Sequence, residues 1–296
     1  MKILFLGEDQ TRHISKLYRK QGHEVRVIHG GKLNKLLGLP HLLWADTVYH
    51  VYGTDINRVA LLRLARLLKK KIILHWIGTD VLEAAQIYQQ EGRVLNADYP
   101  HVDLAVAEHL CRELSQIGIA AKEVPIIPVG MQFEILPMPE RHGVLSYIPE
   151  FRQDFYGIDL LRQLARRFPE VPFYVVANTG AQDPGDLPNV HYTGLLCWEE
   201  LKKVYETCSV LLRYPRHDGL PVMILEAMGL GRQVVYRYPF PGAHTPTGDS
   251  PEEVAAVLEK LFSSPPTANL EGADYVRQRY NEGNLLKAYQ DAGLLS

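Results

Sequence analysis

Cysteine is scarce in this chain of 296 residues: Cys111, Cys197 and Cys208 make three, an odd number without metal-ligand spacing. That excludes a disulfide framework and reads most simply as small buried thiols in a reducing compartment. Long apolar runs are missing as well; none approaches the ~18 residues a membrane-spanning helix needs. The opening Met1-Lys2-Ile3-Leu4-Phe5-Leu6-Gly7 is too short for a secretory leader and meets charge at Glu8-Asp9, so a cytoplasmic protein is expected. There is no basic excess, with 32 Lys and Arg against 34 Asp and Glu, which removes an overall nucleic-acid footprint. The first strand is not followed by G-x-G-x-x-G, which argues against a dinucleotide-binding dehydrogenase. No D-x-D stands at a strand end and no His/Cys/Asp cluster has metal spacing, so neither metal nor cofactor is expected. Internal repeats and low-complexity segments are also lacking.

What is present is an ordinary globular composition, 46% hydrophobic and 22% charged. The length suits two domains of ~150 residues each. Apolar runs at Lys2–Gly7, Glu24–Ile28, Thr47–Val51, Lys71–Leu74, Leu104–Ala107 and Val124–Ile127 read as strands. Helical spacing marks Thr11–Gln21, Ile56–Lys69 and Glu108–Gln116 between them. This alternation predicts a parallel sheet with covering helices. Pro137 and Pro139 mark a linker. The alternation then restarts with strand Val144–Tyr147, helix Ile158–Arg167, strand Phe173–Ala177 and the segment from Val190. Helices at Ser250–Leu261 and Asn284–Ala292 end the chain.

The densest stretch is 210–235. The run Val210-Leu211-Leu212 enters a loop with Arg213, Arg216, His217 and Asp218; Gly219 and Pro221 open a helix bearing Glu226; Gly231 closes it before Val234-Val235. Proline at a helix start and glycine past its end fit the orphan donors and acceptors there. A helix N-terminus favours an anion such as a diphosphate, and an acid further in can accept two ribose hydroxyls. Asp218-Gly219-Leu220-Pro221 with Leu225-Glu226-Ala227-Met228 and Gly231-x-x-Val234-Val235 resembles the E-x7-E signature of retaining GT-B glycosyltransferases, the family 4-like, group 1 enzymes. Asp stands here for the commoner first Glu.

Other segments are similar to the same family. His75-Trp76-Ile77-Gly78-Thr79-Asp80 resembles its H-W-x-G-[ST]-D element, which implies that His75, taken to end its strand, lies by the transferred sugar; a buried core histidine is the competing reading. Val124-Pro125-Ile126-Ile127-Pro128-Val129-Gly130 resembles the exit from the first domain, with Val129 for Asn. The family carries Arg and Lys on the donor diphosphate after the first strand of the second domain. Here Tyr156 precedes Gly157 and Arg152 is the loop's one base, which a guanidinium's two-pronged pairing allows to substitute; Arg216 adds a second charge. Val190-x-x-x-Gly194-Leu195-Leu196 resembles the segment whose backbone pairs with the base, with Trp198 expected as helix-start core. Only Gly7 remains of the first loop's Gly-Gly pair. The loop Tyr238–His244 is a candidate for selecting the donor sugar.

The resemblance implies an α/β GT-B fold, two Rossmann-like domains with parallel sheets facing across a cleft. The acceptor-side domain would span 1–138, with a C-terminal helix of about 275–296 packing back on it, and the nucleotide-sugar domain 139–274. It implies a metal-independent hexosyltransferase with a UDP- or GDP-type donor and retained configuration. His75, Asp218 and Glu226 form the catalytic set. Gly7, Arg152, His217, Asp218, Gly219, Leu220 and Pro221 would hold diphosphate and sugar; Gly194, Leu195, Leu196 and Glu226 would hold ribose and base. No residue suggests itself as a covalent nucleophile. Two rivals remain: a non-catalytic nucleotide-sugar-binding module and a nucleotide-sugar epimerase. Finally, no acid lies between Asp9 and Glu24 or between Asp55 and Asp80, while Arg12, Lys16, Arg19, Lys20 and Arg58, Arg63, Arg66, Lys69, Lys70, Lys71 do. Basic helix faces attract anionic lipid, so peripheral membrane contact and a lipid-linked glycan or polysaccharide acceptor are expected alongside the alternative of simple solvated faces.

Overall fold

The computed structural model describes residues 1–7, 10–29 and 32–295, with the backbone alone for 32–37. Glu8 and Asp9, and so part of the first loop, lie outside the described residues. The chain divides into two compact units. One comprises Met1–Met131, Asp218–Leu220 and Asn281–Ser296; the other comprises Gln132–His217 and Pro221–Tyr280.

The first unit alternates β1 (Lys2–Leu6), α1 (Gln10–Lys20), β2 (Glu24–Ile28), α2 (Lys32–Trp44), β3 (Thr47–Val51), α3 (Ala60–Leu67), β4 (Lys71–Trp76), α4 (Thr79–Glu91), β5 (Val102–Ala105), α5 (Glu108–Gln116) and β6 (Ala121–Glu123). The strands form one parallel sheet in the order β2-β1-β3-β4-β5-β6. Alternate residues of a strand face opposite sides. Leu4, Leu6 and Val48 meet Leu42 of α2 and Leu61, Leu62 and Ala65 of α3 in one apolar cluster. Phe5 instead stacks on Tyr49, at 4.9 Å between centroids, and meets Tyr18 of α1 at 5.5 Å. Helices α1 and α3 therefore cover opposite faces.

Four differences from the sequence reading stand out in the first unit. The expected helix over 56–69 breaks at Val59, which is extended. Asp55 caps a short turn over Ile56–Arg58 by accepting from the Asn57 N–H, so the apolar spacing runs across two separate pieces. The sixth strand is Ala121–Glu123 rather than 124–127; Pro125 and Pro128 have no N–H for a ladder. Strand β4 runs on to Trp76, which places His75 inside it. Gly38 and Pro40 interrupt the pattern of α2, so periodicity does not single that helix out.

The second unit holds β7 (Val144–Tyr147), α6 (Ile158–Arg167), β8 (Phe173–Val176), β9 (Val190–Gly194), α7 (Trp198–Thr207), β10 (Val210–Arg213), α8 (Val222–Gly229), β11 (Gln233–Tyr236), α9 (Pro251–Phe262) and α10 (Leu270–Arg279). Its parallel sheet runs β11-β10-β7-β8-β9. Val144, Phe173, Val210, Leu212 and Val235 bury against Leu161 and Leu164 of α6 and Val254 and Leu258 of α9. Helix α9 starts on a capping box between Ser250 and Glu253. The final helix, α11 (Glu282–Asp291), belongs to the first unit, where its Tyr289 meets Tyr18 edge-on at 5.7 Å.

Candidate functional site

In the second unit the candidate site is built at the carboxyl ends of β7 and β10. Arg213 ends β10 and is buried, 6% exposed. Its guanidinium lies over two rings, 5.4 Å from Tyr147 at the end of β7 and 4.9 Å from Tyr156. Both rings thus present their electron-rich faces to a cation. The loop carrying Tyr156 is pinned beside β10, because the Arg216 N–H donates to the Phe155 carbonyl at 2.9 Å. Gly157 takes φ +85°, and a Cβ there would lie 3.0 Å from the Tyr214 carbonyl oxygen; the left-handed turn and the tight approach both require glycine. Sequence reasoning did not select Arg213, Tyr147 or Tyr156. The available signal was a charged residue closing an otherwise apolar strand.

Glu226 lies on α8, half-buried. Tyr205, fully buried on α7, donates its hydroxyl to Glu226 Oε2 at 3.2 Å. Burial raises the Glu226 carboxyl above its ordinary value, opposed by that hydrogen bond. One carboxylate oxygen is thereby oriented. No side chain caps the start of α8 at Pro221, so an anion there would meet N–H groups at the positive end of the helix dipole.

Arg152 is exposed and stacks on Phe155 at 4.2 Å. His217 is buried and meets Tyr238 edge-on at 6.2 Å. His244 is turned the other way: its backbone pairs beside Val234 and its Nε2 reaches Gln233 Oε1 at 2.9 Å, at the amino end of β11. In the base segment, the Gly194 N–H and C=O are spent on Asn178 and Ala177, leaving Leu195, 89% exposed, and Leu196 after them. Trp198 opens α7 but is 41% exposed, so it is not the core residue expected.

In the first unit, His75 has no exposed surface. Its Nε2–H donates to the Val124 carbonyl at 2.8 Å, and its Nδ1 accepts from the Tyr49 hydroxyl at 2.7 Å. Because a carbonyl only accepts, this fixes the tautomer. Burial lowers its pKa from 6.5 to about 3, so the ring is neutral. The placement differs from a strand-end ring aimed at a sugar. Asp80 is buried too, accepting from the N–H groups of Gly53, Ile77, Gly78 and Val81 at 2.6–3.1 Å. Burial raises its pKa to about 6 against those four bonds. Asp80 thus locks the turn Ile77-Gly78.

That turn abuts Gly219. A Cβ on Gly219 would lie 2.0 Å from the Ile77 carbonyl oxygen, so no side chain fits. Asp218 Oδ1 accepts from the Gly219 N–H at 3.1 Å, and His109 Nε2 donates to the Asp218 carbonyl at 2.9 Å. The position and carboxylate orientation of Asp218 are thereby set. Gly7 has φ +142° and Leu220 is half-buried. Among the described residues no group of three His, Cys, Asp or Glu could hold a metal ion.

No protein-family model matches the chain, and no curated protein matches it in sequence. Solved structures do match. HepE from Anabaena, in complex with UDP and glucose, superposes with a TM-score of 0.70 at 15% identity over 98% of each chain. Sucrose-phosphate synthase from Thermosynechococcus elongatus gives 0.68 at 13% over 98% of each. The lipopolysaccharide outer core galactosyltransferase WaaB gives 0.64 at 15% over 99% of each. A UDP-GlcNAc 2-epimerase from Neisseria meningitidis, bound to UDP-GlcNAc, gives 0.59 at 12% over 99% of this chain and 100% of its own. At such identities the likeness concerns architecture. Two parallel α/β sheets, matched end to end by these structures, give this chain the GT-B glycosyltransferase fold.

Proposed function

We propose that the chain is a retaining, metal-independent hexosyltransferase that takes its sugar from a UDP-type donor. The observation that carries this reading is in the second unit. A buried cation, Arg213, stands over two tyrosines at the end of β10, and an oriented, half-buried carboxylate, Glu226, follows on α8. A nucleoside-diphosphate sugar needs both: positive potential for the diphosphate and an acceptor for ribose hydroxyls. UDP is favoured over GDP by the UDP and UDP-glucose bound in HepE.

Glu226 accepts the ribose hydroxyls, helped by the hydrogen bond from Tyr205. The backbone after Gly194, at Leu195 and Leu196, pairs with the base. Arg213 and the first N–H groups of α8, beyond Gly219, Leu220 and Pro221, stabilise the charge that grows on the departing diphosphate. Arg152 adds to that potential, His217 is a further contact for the diphosphate or sugar, and Gly7 a contact for phosphate. Asp218 holds donor-sugar hydroxyls. In the transfer, the bond from the anomeric carbon to the diphosphate oxygen breaks and one to the acceptor oxygen forms. The acceptor's proton leaves with the diphosphate or to water. His75 serves as a positioning residue, holding the Val124 carbonyl and the chain that follows it. The acceptor is proposed to be a lipid-linked glycan or polysaccharide, met in the cytoplasm.

A thermal-shift panel of UDP, GDP, ADP and dTDP, followed by their sugars, tests the donor. A true ligand at a hundredfold excess over its Kd stabilises by about 2.7 kcal/mol. Turnover with the selected sugar, with product configuration read by NMR, tests the rest; nucleotide binding without turnover would leave a binding module instead. The epimerase likeness favours a second reading. It requires isomerisation of the nucleotide sugar without any acceptor, which the same assay detects.

A further inference from the structure

The basic stretches of the first unit do not form one surface, because α1 and α3 cover opposite faces of its sheet. A flat surface can meet only one of them. The outward residues of α1, Arg12, Lys16, Arg19 and Lys20, are all polar, and Lys20 is bonded to Glu282 at 2.9 Å. The α2–α3 face is different. Helix α2 closes on α3 where Gly38 backs onto Leu61; a Cβ there would lie 2.9 Å from the Leu61 Cδ1. Beyond that contact Lys70, following α3, donates to the Ala45 carbonyl at 2.7 Å and the Leu43 carbonyl at 3.4 Å, so the two helix ends are tied together.

Outward from this junction stand Leu39 at 43%, Leu43 at 57%, Leu67 at 73% and Leu68 at 39% exposure. Isolated exposed leucines need no explanation, but four on two adjoining helix ends form a patch. Arg63, Lys69 and Lys71 are exposed around it, and the stretch between Asp55 and Asp80 contains no acid; of the exposed acids on adjoining segments, Asp46 follows α2 and Asp98 is paired with Arg66, which leaves the corner with a cationic excess. Apolar side chains beside a cationic excess match the boundary between anionic headgroups and acyl chains. A second copy of the chain fits poorly, because a two-fold contact through this patch would set cation against cation.

We propose that this α2–α3 corner is a docking surface for membranes containing anionic lipid, with Leu43 and Leu67 entering the headgroup layer. The idea deepens the proposed function by supplying the place where a lipid-borne acceptor is met. It rests on that reading for its purpose and not for its test.

The test is co-sedimentation with phosphatidylcholine vesicles, with and without phosphatidylglycerol, at low and high salt. Wild-type protein is expected to bind the anionic vesicles at low salt and to be released by high salt. Leu43→Gln with Leu67→Gln, which alters no charge, should weaken binding about tenfold or more. Arg63→Gln with Lys69→Gln should weaken it similarly, at about fivefold per cation. Arg12→Gln with Lys16→Gln, on the other sheet face, should change it little. All the substituted positions are exposed, and melting curves confirm folding. Absent binding to anionic vesicles, or loss on the α1 changes alone, overturns the proposal. So does a concentration-dependent dimer, seen without vesicles, that the leucine changes disperse. Turnover of a nucleotide sugar with a soluble acceptor, measured in the same preparations, reports separately on the proposed function.

Discussion

His75 gives the sharpest prediction. Its ring is buried and neutral, donating to the Val124 carbonyl and accepting from the Tyr49 hydroxyl. In the unfolded chain the ring has its ordinary pKa of 6.5, whereas burial holds the folded value at about 3. Below 6.5 the unfolded state therefore binds a proton that the folded state refuses. The stabilising contribution is complete above 6.5 and drains away as pH falls, at about 1.4 kcal/mol per unit. Between about pH 7 and pH 5 the loss comes to about 2 kcal/mol, and this depends only on the folded value lying well below 5. His50 is also shifted down by burial, and His101 up with its Asp103 partner. The assay must isolate one ring. His75→Gln can donate to Val124 and accept from Tyr49 but does not titrate. Urea unfolding at the two pH values should show wild type losing about 2 kcal/mol more than this variant. Equal losses would refute the neutral buried ring. Turnover at neutral pH is the second readout. A positioning role leaves kcat within about tenfold, whereas a much larger loss in a stably folded variant would mean that the ring touches the reacting sugar.

Glu226→Gln should weaken donor binding about ten- to a hundredfold, since a hydrogen bond to a charged acceptor contributes roughly 1.5–3 kcal/mol; unchanged affinity by calorimetry would remove the ribose assignment. Arg213→Gln should weaken UDP much more than uridine, by about ten- to a hundredfold, with Arg152→Ala acting the same way but less, and equal losses for both ligands would count against a diphosphate role. Asp218→Asn should lower kcat more than nucleotide affinity. Gly219→Ala forces backbone apart at the Ile77 carbonyl and should cost about 1–3 kcal/mol of stability together with turnover; a fully active, equally stable variant would contradict the close approach.

Much of the architecture could be read from residue pattern, since burial on both faces of a parallel strand leaves an apolar run whatever the strand order. The limits of β2, β3, β7, α5 and α6 follow from apolar runs and helical spacing alone. The break at Val59 could not, because it depends on the Asp55 side chain and on Asn96, forty residues away, which bonds the Ile56 N–H. Helix α2 was hidden by its own Gly38 and Pro40, and α10 lay unmarked between two stronger signals.

For the candidate site, the residues of 210–235 and their resemblance to the family motif put forward Asp218, Gly219 and Glu226, because strand, loop and helix there are contiguous. Side chains that meet across the sheet were beyond its reach. The rings of Tyr147 and Tyr156 under Arg213 come from separate segments joined by parallel pairing of β7 and β10. Tertiary structure likewise decided which way His75 faces, since a strand covered on both sides offers no exposed edge to its residues. It also separated the two basic stretches that look alike in sequence. Charge is a property of the residue, but the surface it joins is set by which face of the sheet its helix covers: α1 lies on one face and α3, with its leucines, on the other.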